Sequence, residues 1–313
     1  MTARIVMKLE VVERIDLGDG VARATLRHPR RPALPAWTPG AHVDLRLPDG
    51  KVRQYSLIGD PDDLTTYTIA VKRDETGRGG SRLAHQILRE GAIAHVSAPR
   101  NNFPLVPGRA VLIAGGIGAT PLIAMARALA RRGEDFAFHL CVRSEDSPFP
   151  TLVEAVCGDR LSVYRSSGAD ARRLDVAALL TGVPDDVHVY CCGPERLTVA
   201  VAEAAAGRSE EHVHFEVFAA TSDENYKPEP FDVTIASTGQ TYRVPADRSA
   251  LDVLREQGFA LPSSCELGVC GSCECGYVDG IVVHRDVVLK PSTRQHRMML
   301  CVSRARVGVT LDL

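Results

Sequence analysis

The chain has 313 residues, an apolar share of 45%, a charged share of 24% and a formal net charge of -2. These are the values of an ordinary soluble globular protein long enough for two or three domains. Neither a basic stripe nor an apolar run of spanning length occurs, which argues against nucleic acid and membrane as partners.

Residues from Arg4 to about Phe103 read as β. Val21–Leu26, His42–Leu47, Val52–Leu57 and Thr66–Lys72 are short runs rich in β-branched residues. Pro39-Gly40, Pro48-Asp49-Gly50 and Asp60-Pro61-Asp62-Asp63 separate them as turns, which together predict a small barrel. A helix is expected at Ser81–Leu88, with Ser81 as its N-cap and Gly91 beyond its end. Arg53-Gln54-Tyr55-Ser56 lies on a strand, so Arg53 and Tyr55 share one face and Ser56 takes the other. Ala70-Val71-Lys72 and Gly79-Gly80-Ser81 offer a backbone edge and then a glycine-rich entry to a helix N-terminus, which suits an anion. The same residues fit a structural strand and flexible loop equally well.

From Arg109 the pattern changes. Ala110–Ala114 is a continuous apolar run, as expected of a strand buried on both faces. It enters Gly115-Gly116-Ile117-Gly118-Ala119-Thr120-Pro121 and then a helical stretch, Leu122–Arg132. Strand, glycine turn and helix make a dinucleotide-binding arrangement. Pro121 stands where the usual fingerprint has its third glycine, and it suits a first helical position. Further strands at Ala137–Val142, Leu161–Tyr164 and Val187–Cys191 alternate with helices at Phe149–Val156, Val176–Leu180 and Glu195–Ala206, so the middle third is α/β with a parallel sheet. Cys192-Gly193-Pro194 follows the last strand, where such sheets place ligands; a buried core cysteine is the alternative.

Ala219–Pro230 is polar with two prolines and reads as a linker. Beyond it, Phe231–Ala236 and Thr241–Val244 form a hairpin and Ser249–Gly258 a capped helix. Cys265, Cys270 and Cys273 then show the C-x4-C-x2-C spacing of a plant-type [2Fe–2S] site, with Cys301 placed as fourth thiolate. Zinc, usually held by two short C-x2-C hooks, and a disulfide framework, suited to small secreted domains, are the alternatives. Cys275 lies outside the spacing and is expected as a small buried residue behind the loop. Nine cysteines, an odd number, and no secretory signal at the start of the chain lead to an expected cytoplasmic location. Between Tyr226 and Leu313, 10 Lys/Arg balance 10 Asp/Glu, so docking there is expected to rest on shape and apolar contact.

Seven blocks in one order carry a resemblance: Arg53–Leu57, Ile69–Asp74, Gly77–Ser81, Gly115–Pro121, Tyr190–Pro194, His214–Glu216 and the cysteine loop. Over essentially its whole length the chain resembles the phthalate dioxygenase reductase family, to which vanillate O-demethylase reductases belong. The resemblance implies a multidomain chain: an antiparallel β-barrel flavin domain (1–104), an α/β parallel-sheet NAD domain (105–219), a linker (220–230) and an α+β plant-type ferredoxin domain of β-grasp type (231–313). It implies an NADH-dependent reductase carrying FMN and a [2Fe–2S] cluster, which feeds single electrons to a separate terminal oxygenase. Arg53, Gly79, Gly80 and Ser81 would hold the flavin phosphate. Gln54, Tyr55, Ser56, Ala70, Val71 and Lys72 would line the ring, and Phe218 would cover it. Thr120 would lie between flavin and nicotinamide, Gly116, Gly118 and Pro121 would form the dinucleotide turn, and Cys192, Gly193 and Pro194 would face the nicotinamide. Glu145 and Asp146 disfavour a 2′-phosphate, whereas Arg143 and Ser144 favour one. No residue is expected to act as an acid or base, since hydride passes directly between cofactors.

Overall fold

A computed structural model describes residues 6–75, 79–218 and 226–313. Two compact units divide the chain, Met1–Glu216 and Val217–Leu313.

The first unit opens with β1 (Val6–Gly18), β2 (Val21–Arg27), β3 (His42–Arg46), β4 (Val52–Ser56), β5 (Thr66–Lys72), helix α1 (Gly80–Ile87) and β6 (Ile93–Ser97). The strands lie in the order β4-β3-β6-β1-β2-β5, all antiparallel. A bridge between Leu57, just past β4, and Ile69 of β5 brings the two ends of the sheet together as a barrel. Period-two alternation sends Val43 and Leu45 of β3 into the barrel core with Leu9, Leu26, Tyr67 and Ile69, while His42 and Asp44 take the other face. Each large apolar side chain buried this way contributes about 1.5–3 kcal/mol relative to exposure.

The chain continues through β7 (Ala110–Gly115), α2 (Ala119–Arg132), β8 (Phe136–Val142), α3 (Phe149–Cys157), β9 (Leu161–Arg165), α4 (Val176–Thr181), β10 (His188–Cys192), α5 (Glu195–Ala204) and β11 (Val213–Glu216). These strands form a parallel sheet in the order β11-β10-β7-β8-β9. The order reverses between β7 and β10, and the carboxyl ends of such diverging strands open a crevice for ligands. All of β7 is buried, as its unbroken apolar run requires. Val21, Ile58, Ala70 and Phe103 of the barrel pack in one cluster with Ala119, Leu122 and Met125 of α2, so barrel and α/β sheet share a core.

Three local expectations are corrected. Helix α1 begins at Gly80 with Gly79 as N-cap (φ 82) rather than Ser81. The Ser81 hydroxyl is engaged elsewhere, accepting from the Asp74 N–H at 2.9 Å. Helix α2 starts at Ala119, ahead of the expected Leu122, which makes Pro121 its third residue instead of its first. That position still lies in the first turn, where an N–H has no partner to lose. Strand β10 ends one residue later than expected, so Cys192 is part of it.

The second unit contains β12 (Phe231–Ile235), β13 (Thr241–Val244), α6 (Ala250–Glu256), β14 (Glu274–Val283), β15 (Arg297–Met299) and β16 (Arg304–Leu311). Its sheet runs β13-β12-β16-β14-β15, with β12 and β16 parallel and the other pairs antiparallel. Ser249 caps α6, accepting from the Asp252 N–H at 3.1 Å. Leu251 and Leu254 of that helix pack with Phe231, Val233, Met298, Met299 and Leu311 in the unit's own core. Of the linker expected at 220–230, residues 220–225 lie outside the described residues, as do Gly77 and Arg78 of the third sequence block.

Since each unit has its own core, a chain ending at Glu216 should fold alone. Its thermal transition, followed by circular dichroism, is expected to be cooperative and within about 10 °C of the first unit's transition in the whole protein. A non-cooperative melt would contradict two independent units.

Candidate functional sites for an anion, a dinucleotide and a metal cluster

The barrel builds the first site from Arg53 and the start of α1. Gly80 packs directly beneath the Arg53 guanidinium, leaving no room for a Cβ against its Nε, and Gly79 supplies the left-handed turn that starts the helix. No side chain caps this helix, so its first N–H groups and the guanidinium form one electropositive corner. Beyond it, Tyr55 is half-buried against the barrel core. The Ser56 hydroxyl is buried and has no hydrogen-bond partner among the described residues. A buried hydroxyl without a protein partner is a group that a bound ligand can satisfy.

The Gln54 amide turns to His42 Nε2 at 3.0 Å and donates to Asp44 Oδ1 at 3.2 Å. Arg100 joins this buried group, its Nη2 donating to Asp44 at 2.6 Å. Burial, reinforced by the Arg100 charge, lowers the His42 pKa to about 4, so His42 is neutral. Ala70 and Val71 are buried in β5, which forms one end of the sheet order, and the Val71 carbonyl lies 2.9 Å from His85 Nε2 of α1. Lys72 pairs with Asp19 at 2.9 Å. Phe218 is exposed and belongs to the second unit.

The second site lies where β7 and β10 diverge. A Cβ on Gly118 would run into the Cys192 carbonyl, and one on Gly115 would come within 2.5 Å of Pro194 Cδ, so only glycine lets the two strand ends touch. Gly116 has φ +54 at the turn. Thr120 is buried in the first turn of α2 and its hydroxyl donates to the Ile117 carbonyl at 2.8 Å. Cys192 is fully buried, and desolvation, with the Glu216 charge beside it, holds its thiol well above the usual range. Glu216, paired with Cys192 in register, has a buried Oε2 with no partner among the described residues, and burial pushes its pKa up to about 8. No role was expected for Glu216; its place at the carboxyl end of β11 was the available signal. A cavity of about 520 Å³ opens from Gly115–Ile117 and Pro194 toward the carboxyl ends of β8 and β9.

The third site is the loop before β14. All nine cysteines are free thiols. The thiols of Cys265 and Cys270 hydrogen-bond to each other, as do those of Cys273 and Cys301, which brings the four expected ligands together in the loop. The C-x4-C-x2-C spacing, in place of two short C-x2-C hooks, disfavours a mononuclear zinc site. Two pairs fit a centre in which each of two irons takes two protein thiolates. Backbone N–H groups point at the sulfurs: Leu267 donates to Cys265 Sγ at 3.3 Å, and the Gly268 N–H reaches Cys301. Hydrogen bonds from Cys265 and Ser272 lower the Cys270 thiol, while its partner Cys265 is raised in turn. Gly268 and Gly271 both have φ +74, and a Cβ on Gly268 would come within 2.6 Å of Val302 Cγ2.

Cys275 is separate from this set. It lies on β14 opposite Met298, packs in the unit's core, and burial raises its thiol to about 11. Cys275→Ser is therefore expected to keep the iron content and visible absorbance of the purified protein, and Cys273→Ser to lose or strongly alter both. Iron loss in the first variant with retention in the second would contradict the pairing.

Residues 233–306 match the family model described as a 2Fe-2S iron-sulfur cluster binding domain. The chain is 37% identical over 311 residues to the phthalate 4,5-dioxygenase oxygenase reductase subunit of Pseudomonas putida, covering 97% of this chain and 96% of that protein. It is 41% identical over 295 residues to the tert-butanol monooxygenase / tert-amyl alcohol desaturase reductase subunit of Aquincola tertiaricarbonis, covering 90% and 87%. The solved phthalate dioxygenase reductase, described as a modular structure for electron transfer from pyridine nucleotides to [2Fe-2S], superposes with a TM-score of 0.80 at 34% identity, over 98% of both chains. With likeness of this extent in both sequence and fold, this chain belongs to the phthalate dioxygenase reductase family.

Proposed function

We propose that this protein is the reductase component of a multicomponent oxygenase or O-demethylase. The observation that carries the reading is the pairing of four thiols, Cys265 with Cys270 and Cys273 with Cys301, in a ferredoxin-type unit on the same chain as a barrel and a parallel sheet with ligand-ready corners. FMN held by the barrel would supply hydride acceptance from NADH and one-electron release, and a [2Fe–2S] centre held by the four cysteines would supply one-electron relay toward a separate terminal oxygenase. The protein's part is to hold, orient and shield.

Arg53, with the uncapped start of α1 at Gly79 and Gly80, neutralises the flavin phosphate. Ser81 contributes its backbone there, its hydroxyl being bonded to Asp74. Tyr55 gives the ring an apolar face, and Ser56 offers a buried hydroxyl that has no partner among the described residues. Ala70, Val71 and Lys72 supply the strand edge, while Gln54 acts through His42 and Asp44 by stiffening β3 against β4. Gly116, Gly118 and Pro121 shape the dinucleotide turn; Thr120, Cys192, Gly193 and Pro194 close its inner wall and keep water out. Cys265, Cys270, Cys273 and Cys301 are the cluster ligands. The functional divisions are 1–104 for flavin, 105–219 for the nucleotide, 220–230 as linker and 231–313 for the cluster. Free thiols throughout suit a reducing cytoplasm. No helix among the described residues is long and apolar enough to cross a membrane.

Chromatography of the flavin released on denaturation tests the reading: FMN is expected, and predominant FAD would contradict the short anion corner assigned to a single phosphate. In the Arg53→Ala variant, flavin affinity measured by dialysis titration should fall by roughly tenfold or more, the worth of a charge-assisted contact, with little change in the melting temperature.

A further inference from the structure

The cavity of the first unit carries more positive charge than a dinucleotide's two bridging phosphates require. Five arginines line it, Arg143, Arg165, Arg172, Arg173 and Arg196, against one carboxylate, Asp19. Asp19 is already paired with Lys72 at 2.9 Å. In sheets of this kind the residue just past the second strand selects the nucleotide: a carboxylate there binds the ribose 2′-hydroxyl, and an arginine accommodates a 2′-phosphate.

Here the second strand, β8, ends at Val142, and Arg143 and Ser144 line the cavity. Glu145 and Asp146, which the sequence set against them, are exposed and are not part of the wall. The neighbouring strand completes the corner. Val142 pairs with Arg165 in register, so Arg165 and Ser166 stand beside Arg143 on the same rim. The backbone is pinned there: the Ser166 N–H donates to the Val142 carbonyl at 3.1 Å, and Ser167 donates to the Arg143 carbonyl through its N–H at 2.9 Å and its hydroxyl at 2.7 Å. Arg172 follows, its guanidinium 5.5 Å above the Tyr164 ring.

We infer that the Arg143, Ser144, Arg165 and Ser166 corner is a subsite for a 2′-phosphate, so that the protein takes NADPH as a reductant as well as NADH. The inference rests on the proposal that this cavity holds the pyridine nucleotide, and it deepens that proposal by naming the specificity corner. Guanidinium groups and serine hydroxyls on two adjacent strand ends suit a dianionic phosphate, and a ribose diol meets no unpaired carboxylate on this wall.

The test uses the purified holoprotein with ferricyanide as acceptor, at low ionic strength so that charge contacts are not screened. NADPH is expected to give a kcat/KM within about a hundredfold of NADH, and 2′,5′-ADP to compete with either nucleotide at least about tenfold more tightly than 5′-AMP, the scale of one charge-assisted contact. Arg143→Ala should lower the NADPH-to-NADH ratio of kcat/KM and the 2′,5′-ADP preference by roughly tenfold, with Arg143→Lys retaining part of both. Turnover with NADH alongside a larger gap to NADPH, or 2′,5′-ADP binding no more tightly than 5′-AMP, would overturn the subsite and leave the reductase reading standing. Turnover with neither nucleotide would overturn the reductase reading and this inference with it.

Discussion

The first unit depends on one close approach of backbone to backbone. Gly118 meets the carbonyl of Cys192, and Gly115 meets Gly193 and Pro194, so that the ends of β7 and β10 touch below the point where they diverge. Any side chain at Gly118 would push α2 away from the sheet. Because α2 also carries the residues that pack against Ile58 and Ala70 of the barrel, that displacement would reach the flavin side as well. One steric constraint thus holds the nucleotide crevice and the barrel in a single shared core, and the mutual position of two ligand sites follows from it.

The second unit rests on a different constraint, the alternation along the chain where the cysteine loop becomes a strand. Cys273 closes the loop and pairs with Cys301; Cys275, on β14, is turned into the apolar core among Met298 and its neighbours. Thiols of the same chemistry and near neighbours in sequence therefore differ in surroundings. Desolvation raises Cys275, while hydrogen bonding within the loop lowers Cys270 and Cys273 and raises their partners Cys265 and Cys301.

Much of this was legible in the sequence because the signals were local. The apolar run at Ala110–Ala114, the cap at Ser249 and the spacing of Cys265, Cys270 and Cys273 each follow from a few adjacent residues. What escaped depends on partners distant in the chain. Ser81 was expected to cap α1 but accepts from Asp74, and the Gln54 amide meets His42 and Asp44 across the β3–β4 pair, partners that no adjacent residue signals. Strands β14 and β16 were not anticipated, since register shifts between Tyr277 and Asp279 and between Gly280 and Val282 break the period-two pattern. Glu216 and the arginine corner gain meaning only when parallel strands bring their carboxyl ends together.

The central claim is that flavin and cluster, the two relays of the electron path, are held by this one chain. Anaerobic rapid mixing of the holoprotein with NADH, followed by visible absorbance and by paramagnetic resonance of frozen samples, tests it most directly. The account predicts fast bleaching of the flavin band and then appearance of the reduced-cluster signal within the same turnover. Flavin bleaching with a cluster that stays oxidised, while dithionite reduces it, would contradict the account.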